Sequence, residues 1–315
     1  MIDRYGRELD YLRVSVTDFC NFRCKYCMPE EGVKVKAHED MLSLEEIYYI
    51  VRTFVELGVR KVRITGGEPL VRPGILGLIK SLGNIEKIED LCMTTNGSLL
   101  KENASKLKSY GLNRVNISLD TLDKDKFYEI TKGNLDDVLE GIEEAINVGM
   151  KVKINAVLLK DINEDEIKDL IEIAKNNPID LRFIEAMPIG ETKDFSKAHF
   201  LNAEEILERF ELIEDEDQEK HSSAKMYRIN KGLGRVGLIR PLSDHFCNEC
   251  NRLRLTSDGK IKSCLHGNKL IDLKTPLRKG ESILPYIKEA VDTKPKKHKL
   301  NSGKTSKMSM NRIGG

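Results

Sequence analysis

Six times over, the chain alternates a short β-branched run with a longer segment of helical period. The runs are LRVSVT (12–17), VRIT (62–65), LCMTT (91–95), RVNISL (114–119), VKINAVLL (152–159) and DLRFIEA (180–186). The helical segments are SLEEIYYIVRTFVELG, capped by Ser43 and closed by Gly58, then GILGLIKSL, KENASKLKSYG, LDDVLEGIEEAINVG, EDEIKDLIEIAKNN and NAEEILERF. Six β-α units in a row make a parallel sheet with helices outside it. Crossovers are right-handed, so the series either opens into a doubly wound sheet or curls into a barrel. In both cases the residues just after the strand ends line the site.

The acidic stretch ELIEDEDQEK (211–220) interrupts this pattern and reads as an exposed boundary. Beyond it MYRI (226–229) and RVGLIR (235–240) read as strands, RLRLTSDGKIKSC carries the Asp-Gly signal of a hairpin, and ESILPYIKEAV reads as a last helix. No acid follows Asp292, whereas Lys294, Lys296, Lys297, Lys299, Lys304, Lys307 and Arg312 do. The net charge of +1 therefore divides into an acidic body and a basic tail. Such a tail is either a solvated end or, drawn by the acidic body, a docked one. It lacks the interleaved aromatics of a nucleic-acid-binding segment, so no nucleic acid is expected. No stretch approaches the roughly 18 apolar residues of a membrane span, and MIDRYGREL lacks a secretory apolar core, which places the expected location in the cytoplasm.

Seven cysteines, an odd number, point to metal or catalysis and away from a disulfide framework. Cys20, Cys24 and Cys27 form C-x3-C-x2-C directly after the first run. Three thiolates on one loop can hold three corners of a cuboidal iron–sulfur cluster and leave one iron open to chelate the amino and carboxylate groups of S-adenosylmethionine. A zinc knuckle is the alternative, but the nearest histidine, His38, lies eleven residues past Cys27. Gly66, Gly67, Glu68 and Pro69 end the second run, where adjacent glycines let backbone approach a ligand. The second group, Cys247, Cys250 and Cys264, leaves zinc, completed by His266, and a cluster both open on spacing alone. Cys92 belongs to neither group and reads as a core residue.

C-x3-C-x2-C after the first strand of a β-α series resembles the signature of the radical S-adenosylmethionine superfamily. DFCNxRCxYCMP, TGGEPLVRP, TTNG, SLD and CNxCNRxRLTSDGxxxxCL, in this order, resemble the GTP 3′,8-cyclase family of molybdenum cofactor biosynthesis over essentially the whole chain. The resemblance implies an α/β fold, a partial (βα)6 barrel of TIM type at 4–220, closed by a C-terminal α+β cluster-binding domain at 221–292 and followed by a basic tail at 293–315. It implies two [4Fe–4S] clusters, with the second group also holding one, and a lyase in which a 5′-deoxyadenosyl radical takes the C3′ hydrogen of GTP before C3′ adds to guanine C8. An electron donor, a downstream pterin-forming enzyme and a homodimer are the implied partners. The other readings are a radical enzyme acting on a peptide and a zinc-stabilised nucleic-acid-binding module.

Cations on strands whose other residues are apolar are costly unless they face an anion, and a triphosphate needs several. Arg13, Lys61, Arg63, Lys153 and Arg182 stand on such strands, with a salt bridge to a barrel carboxylate as the alternative for each. By resemblance, Arg13, Arg63, Thr94, Lys153, Arg252, Leu253 and Arg254 contact GTP, and Tyr26, Gly67, Ser118 and Met187 contact S-adenosylmethionine. Asp120 is expected beside Ser118, with helix capping as its alternative, and Glu68 and Glu185 have no assigned role. Gly314 and Gly315 are expected to dock in the barrel and serve catalysis. One departure is Lys132, which stands where relatives carry arginine and keeps the charge without the bidentate fork.

Overall fold

A computed structural model describes residues 1–33, 36–298, 300 and 305–314. Six parallel strands alternate with helices as expected: β1 (Tyr11–Ser15), β2 (Lys61–Thr65), β3 (Asp90–Thr95), β4 (Arg114–Ser118), β5 (Lys151–Leu158) and β6 (Asp180–Glu185). Their helices are α1 (Leu44–Glu56), α2 (Ile75–Gly83), α3 (Leu100–Ser109), α4 (Lys124–Thr131), α5 (Leu135–Asn147), α6 (Ile167–Asn176), α7 (Lys193–Ala198) and α8 (Glu205–Arg209). α1 shows the local logic. Ser43 and Glu46 form a reciprocal capping box, and Ile47, Ile50, Val51, Phe54 and Val55 make the stripe that is buried against the sheet. The sequence pattern missed α4 and α7, both short and rich in charge.

The C-terminal strands join the edges of the barrel sheet. β7 (Leu212–Glu214), β8 (Lys225–Ile229) and β9 (Arg235–Ile239) extend the β6 edge, while β10 (Arg252–Leu255), β11 (Lys260–Lys262) and β12 (Ile271–Asp272) extend the β1 edge. β9 pairs parallel with β6 and β10 parallel with β1, so eight parallel strands run β10-β1-β2-β3-β4-β5-β6-β9 in a partial barrel. α9 (Lys274–Arg278) and α10 (Leu284–Asp292) follow. The acidic stretch is exposed over most of its length, yet it is tied to the sheet: β7 within it pairs with β8, and Glu219 folds back onto Lys153.

Period-two alternation then sorts the strand residues. Leu12, Val14, Val62, Ile64, Leu91, Met93, Val115 and Ile117 are fully or almost fully buried in the hydrophobic core. The intervening residues face the barrel interior, and there Arg13 stands in register with Arg63 on one side and Arg254 on the other.

Candidate active site

The barrel encloses a cavity of about 310 Å³. Cys20, Cys24 and Cys27 follow the C-terminal end of β1. Cys247 and Cys250 precede β10, which runs parallel to β1, and Cys264 follows β11, which runs antiparallel to β10. The two cysteine groups therefore stand at opposite mouths, separated by the length of a strand, about 16 Å for five residues.

At the first mouth the three cysteines line the cavity. Their loop is stitched to its neighbours by backbone: Gly67 N–H donates to Thr17 (2.8 Å), Glu68 N–H to Phe19 (2.9 Å), Arg23 N–H to Thr131 (2.6 Å) and Lys25 N–H to Ile130 (3.0 Å). A Cβ on Gly67 would overlap the Phe19 carbonyl, so this glycine is required by the cysteine loop itself, and its amide is already committed. Burial pushes the Cys20 thiol up to about 11 and Cys27 to about 12, with mutual repulsion adding to burial at Cys24 and Cys27. A metal's positive charge would draw such thiols to the thiolate form. Among the described residues no three Cys, His, Asp or Glu side chains are gathered to hold a single ion. Three thiols on one wall, beside open cavity, fit the corners of a cuboidal cluster.

Two buried carboxylates stand beside them. Burial raises Asp120 to about 6, and it accepts from Tyr26 Oη (2.6 Å) and Val157 N–H (2.7 Å), so it orients the tyrosine and caps no helix. Burial raises Glu68 to about 7, with bonds from Leu70, Thr95 and Asn96 joining the loops after β2 and β3. Ser118 and the half-buried Met187 line the same cavity. Glu185 accepts from Leu242, Ser243 N–H and Ser243 Oγ, fixing the loop after β9.

At the second mouth burial pushes the Cys250 thiol up, but Lys294 and Arg252 more than offset it and bring it down to about 7. Cys247 is tied to the N-terminus, its carbonyl accepting from Arg7 (2.8 Å). His266 lines the cavity with a buried, unpartnered Nδ1, edge-on to His298 at 4.8 Å. Burial, then His298, depresses it to about 3.

Between the mouths lie the cations. Arg63, Arg182, Arg252, Arg254 and Lys61 line the cavity with Arg13, and the Nε atoms of Arg63 and Arg182 and Thr94 Oγ1 are buried without partners. An anionic, hydrogen-bonding ligand satisfies such a set. Lys153 differs: it pairs with Asp180 (3.2 Å) and Glu219 (2.9 Å), the salt-bridge alternative. Leu253 is buried in the hydrophobic core, on the opposite face of β10 from Arg252 and Arg254. Lys132 is exposed, in the left-handed region at the end of α4, with its ammonium 5.3 Å from the Tyr128 ring. Cys92 is fully buried, as a core residue, and its Sγ accepts from Arg114 at 3.5 Å.

The tail is docked. Gly314 carbonyl accepts from Arg13 (2.7 Å) and Arg254 (3.3 Å), and a Cβ there would stand 2.6 Å from Thr65 Cγ2 with φ at +76°. Asn311 bonds the Asp18 carbonyl beside the first cysteine loop. Gly315 lies outside the described residues. Sequence reasoning missed Lys294 and Glu219, whose isolated charges in lysine-rich and acidic runs carry no signal of burial.

Residues 14–174 match the radical SAM superfamily and 179–300 match Molybdenum Cofactor Synthesis C. The GTP 3′,8-cyclase of Alkaliphilus oremlandii is 51% identical over 320 residues, covering 100% of both chains, and that of Alkaliphilus metalliredigens is 49% identical with the same coverage. SuiB of Streptococcus suis, solved bound to S-adenosylmethionine, superposes with a TM-score of 0.59 at 19% identity, over 82% of this chain and 60% of SuiB, a likeness of fold. Among the described residues no helix is long and apolar enough to cross a membrane. Two family matches in tandem, full-length identity of about half and a cavity with a cysteine group at each mouth converge: the chain belongs to the GTP 3′,8-cyclase family of radical S-adenosylmethionine enzymes.

Proposed function

We propose that the cavity binds S-adenosylmethionine at the mouth of Cys20, Cys24 and Cys27 and GTP toward the mouth of Cys247, Cys250 and Cys264, each group carrying one [4Fe–4S] cluster. The observation that carries this is the cavity's polarity: buried carboxylates and thiols at one mouth, arginines at and toward the other. The enzyme converts GTP to 3′,8-cyclo-7,8-dihydroguanosine 5′-triphosphate. When bound, the first cluster supplies the electron that breaks a carbon–sulfur bond of S-adenosylmethionine and so makes the 5′-deoxyadenosyl radical.

Everything else falls to the chain. Tyr26, held by Asp120, Gly67 with its carbonyl, Ser118 and Met187 position S-adenosylmethionine so that its 5′ carbon points into the barrel. Arg13, Arg63, Arg252, Arg254 and Thr94 hold GTP, with Lys153 held in reserve by Glu219 and Leu253 contributing only backbone. Ribose C3′ then faces the radical, and walls that exclude water keep it from meeting anything else. Gly314 and Gly315 serve catalysis from the docked tail, with Gly314 crossing between Arg13 and Arg254.

The division into 4–220, 221–292 and 293–315 is a functional one within a continuous sheet. An external electron donor, delivery of product to a pterin-forming enzyme, a homodimer and a cytoplasmic location complete the reading. Anaerobic enzyme given GTP, S-adenosylmethionine and dithionite should yield 5′-deoxyadenosine and the cyclised nucleotide in equal amounts, with iron and no zinc bound. Zinc in place of iron, or 5′-deoxyadenosine formed only with a peptide, would overturn it.

A further inference from the structure

Lys294 stands first among the tail lysines, where a solvated side chain would be ordinary. Its side chain is instead buried, at 2% exposure. The Nζ donates to the carbonyls of Arg252 (2.8 Å) and Ser263 (2.7 Å) and lies 3.5 Å from Cys250 Sγ. These partners bracket the second cysteine group: Cys250 itself, the residue two beyond it, and the residue just before Cys264. The ammonium thus ties the start of β10 to the end of β11.

Its backbone is pinned on both sides. Lys294 N–H closes the end of α10 on Val291 (3.2 Å), and Arg7 holds the next two carbonyls, Pro295 (2.8 Å) and Lys296 (3.2 Å), while also bonding Cys247 (2.8 Å). Arg7 is itself anchored by Asp3. The N-terminal segment and the start of the tail therefore converge on this lysine and this cysteine group.

Two neutral carbonyls and a sulfur do not balance a buried charge; the sulfur in contact is that of Cys250, and the Ser263 carbonyl is that of the residue preceding Cys264. A buried cation without its anion is costly, so the balance comes from the charge these sulfurs carry when they ligate. We infer that Lys294 is a positioning residue of the second iron–sulfur site: it compensates the charge on Cys250 and Cys264, joins their two strands, and favours the reduced form of the cluster they hold. The inference rests on reading Cys247, Cys250 and Cys264 as cluster ligands. Reduction adds one negative charge, and a fixed ammonium beside the sulfurs stabilises that state more than the oxidised one. A lysine suits the place because its three N–H groups diverge from one compact charge toward three partners, where arginine keeps the charge but spreads its donors over a plane.

Lys294→Gln and Lys294→Arg in the full-length, anaerobically reconstituted enzyme test this, with both clusters followed by redox titration and paramagnetic resonance. The first cluster is identified as the one whose signal responds to S-adenosylmethionine. The expected result for Lys294→Gln is an about tenfold lower reduced-to-oxidised ratio of the second cluster at fixed potential, about 59 mV for one electron, with the first cluster unmoved. An unchanged second potential overturns the inference. Should Lys294→Gln strip the second cluster, retention of its iron by Lys294→Arg supports a role for the charge. Loss of iron in both means that the side chain only fills space, which overturns it. A wild-type enzyme holding zinc at this site would instead overturn the ligand assignment, before any variant is compared.

Discussion

The two mouths of the barrel each carry three cysteines and are built in opposite ways. The first is local: eight consecutive residues carry all three cysteines, and the backbone of the loops beside them holds the loop in place. The second is assembled from a distance, with cysteines on both sides of the β10–β11 hairpin and residues from both ends of the chain, Arg7 and Lys294, packed against them. Their charge differs in the same sense. Buried carboxylates leave the first mouth in need of positive charge, whereas the arginines and Lys294 leave the second in need of negative charge. Such a cavity orients a cationic cosubstrate and an anionic substrate before any specific contact forms.

The sharpest break of this comparison comes from the first mouth. Cys20→Ala, Cys24→Ala or Cys27→Ala should abolish reductive cleavage of S-adenosylmethionine, because a site with only three thiolates cannot lose one, while about half the iron stays at the second mouth. Measurable 5′-deoxyadenosine from any of these variants would contradict the assignment. Next in size is removal of Gly314 and Gly315, which should stop cyclisation while both clusters remain and GTP affinity stays nearly unchanged. A peptide ending in Ile313-Gly314-Gly315 should restore part of the product, and a truncated enzyme with normal yield would return the tail to a solvated end.

Cys264→Ser should separate the mouths. Radical generation is sited elsewhere, so 5′-deoxyadenosine should still form, now uncoupled from a sharply reduced yield of cyclised nucleotide. Equal loss of both products would mean that the second mouth supports the first structurally. Between the mouths, Arg13→Ala or Arg63→Ala should weaken GTP by about 1–3 kcal/mol, as expected for a desolvated charge-assisted contact, and guanosine much less. Calorimetric titration with both ligands decides, since equal losses would show that these residues do not read the phosphates.

How much of this could be read in advance follows the same local-versus-distant line. The β-α alternation and the first cysteine loop are legible because strand period, capping box and ligand spacing are all written in neighbouring residues. The parallel attachment of β9 and β10 to the barrel edges is not, because pairing partners far apart in sequence leave no local trace; the same four-residue strand suits a separate sheet or an edge. Lys153 reads as a phosphate ligand and is found paired, since the acid that reaches it stands 66 residues away in a run that resembles a solvated linker. Leu253 shows a subtler limit. A motif names a segment, but alternation sends its middle residue to the core.

Glu219 offers the smallest and most discriminating test. Its carboxylate lines the cavity and lies 2.9 Å from Lys153 Nζ, on a segment whose His221 carbonyl accepts from Arg252 at 3.2 Å. Burial pushes the carboxyl up, but Lys153, Arg182 and Arg114 more than offset this and bring it down to about 2. A depressed carboxylate tethers its segment at any pH above its ordinary value of about 4.3 and lets go only as pH falls through about 2, so between pH 6 and 8 the tether is complete. There it is a negative charge competing with a triphosphate for the same cations. Its side chain is 57% exposed, which limits the pair to about 0.5–1 kcal/mol after screening. Glu219→Gln should therefore tighten GTP about two- to fivefold, equally at pH 6 and pH 8, less at high salt, and leave guanosine unchanged. Lys153→Ala should move GTP the opposite way. A Glu219→Gln enzyme that binds GTP more weakly would show that this carboxylate organises the cations for the substrate, and would turn the second mouth from a purely cationic pole into a mixed one.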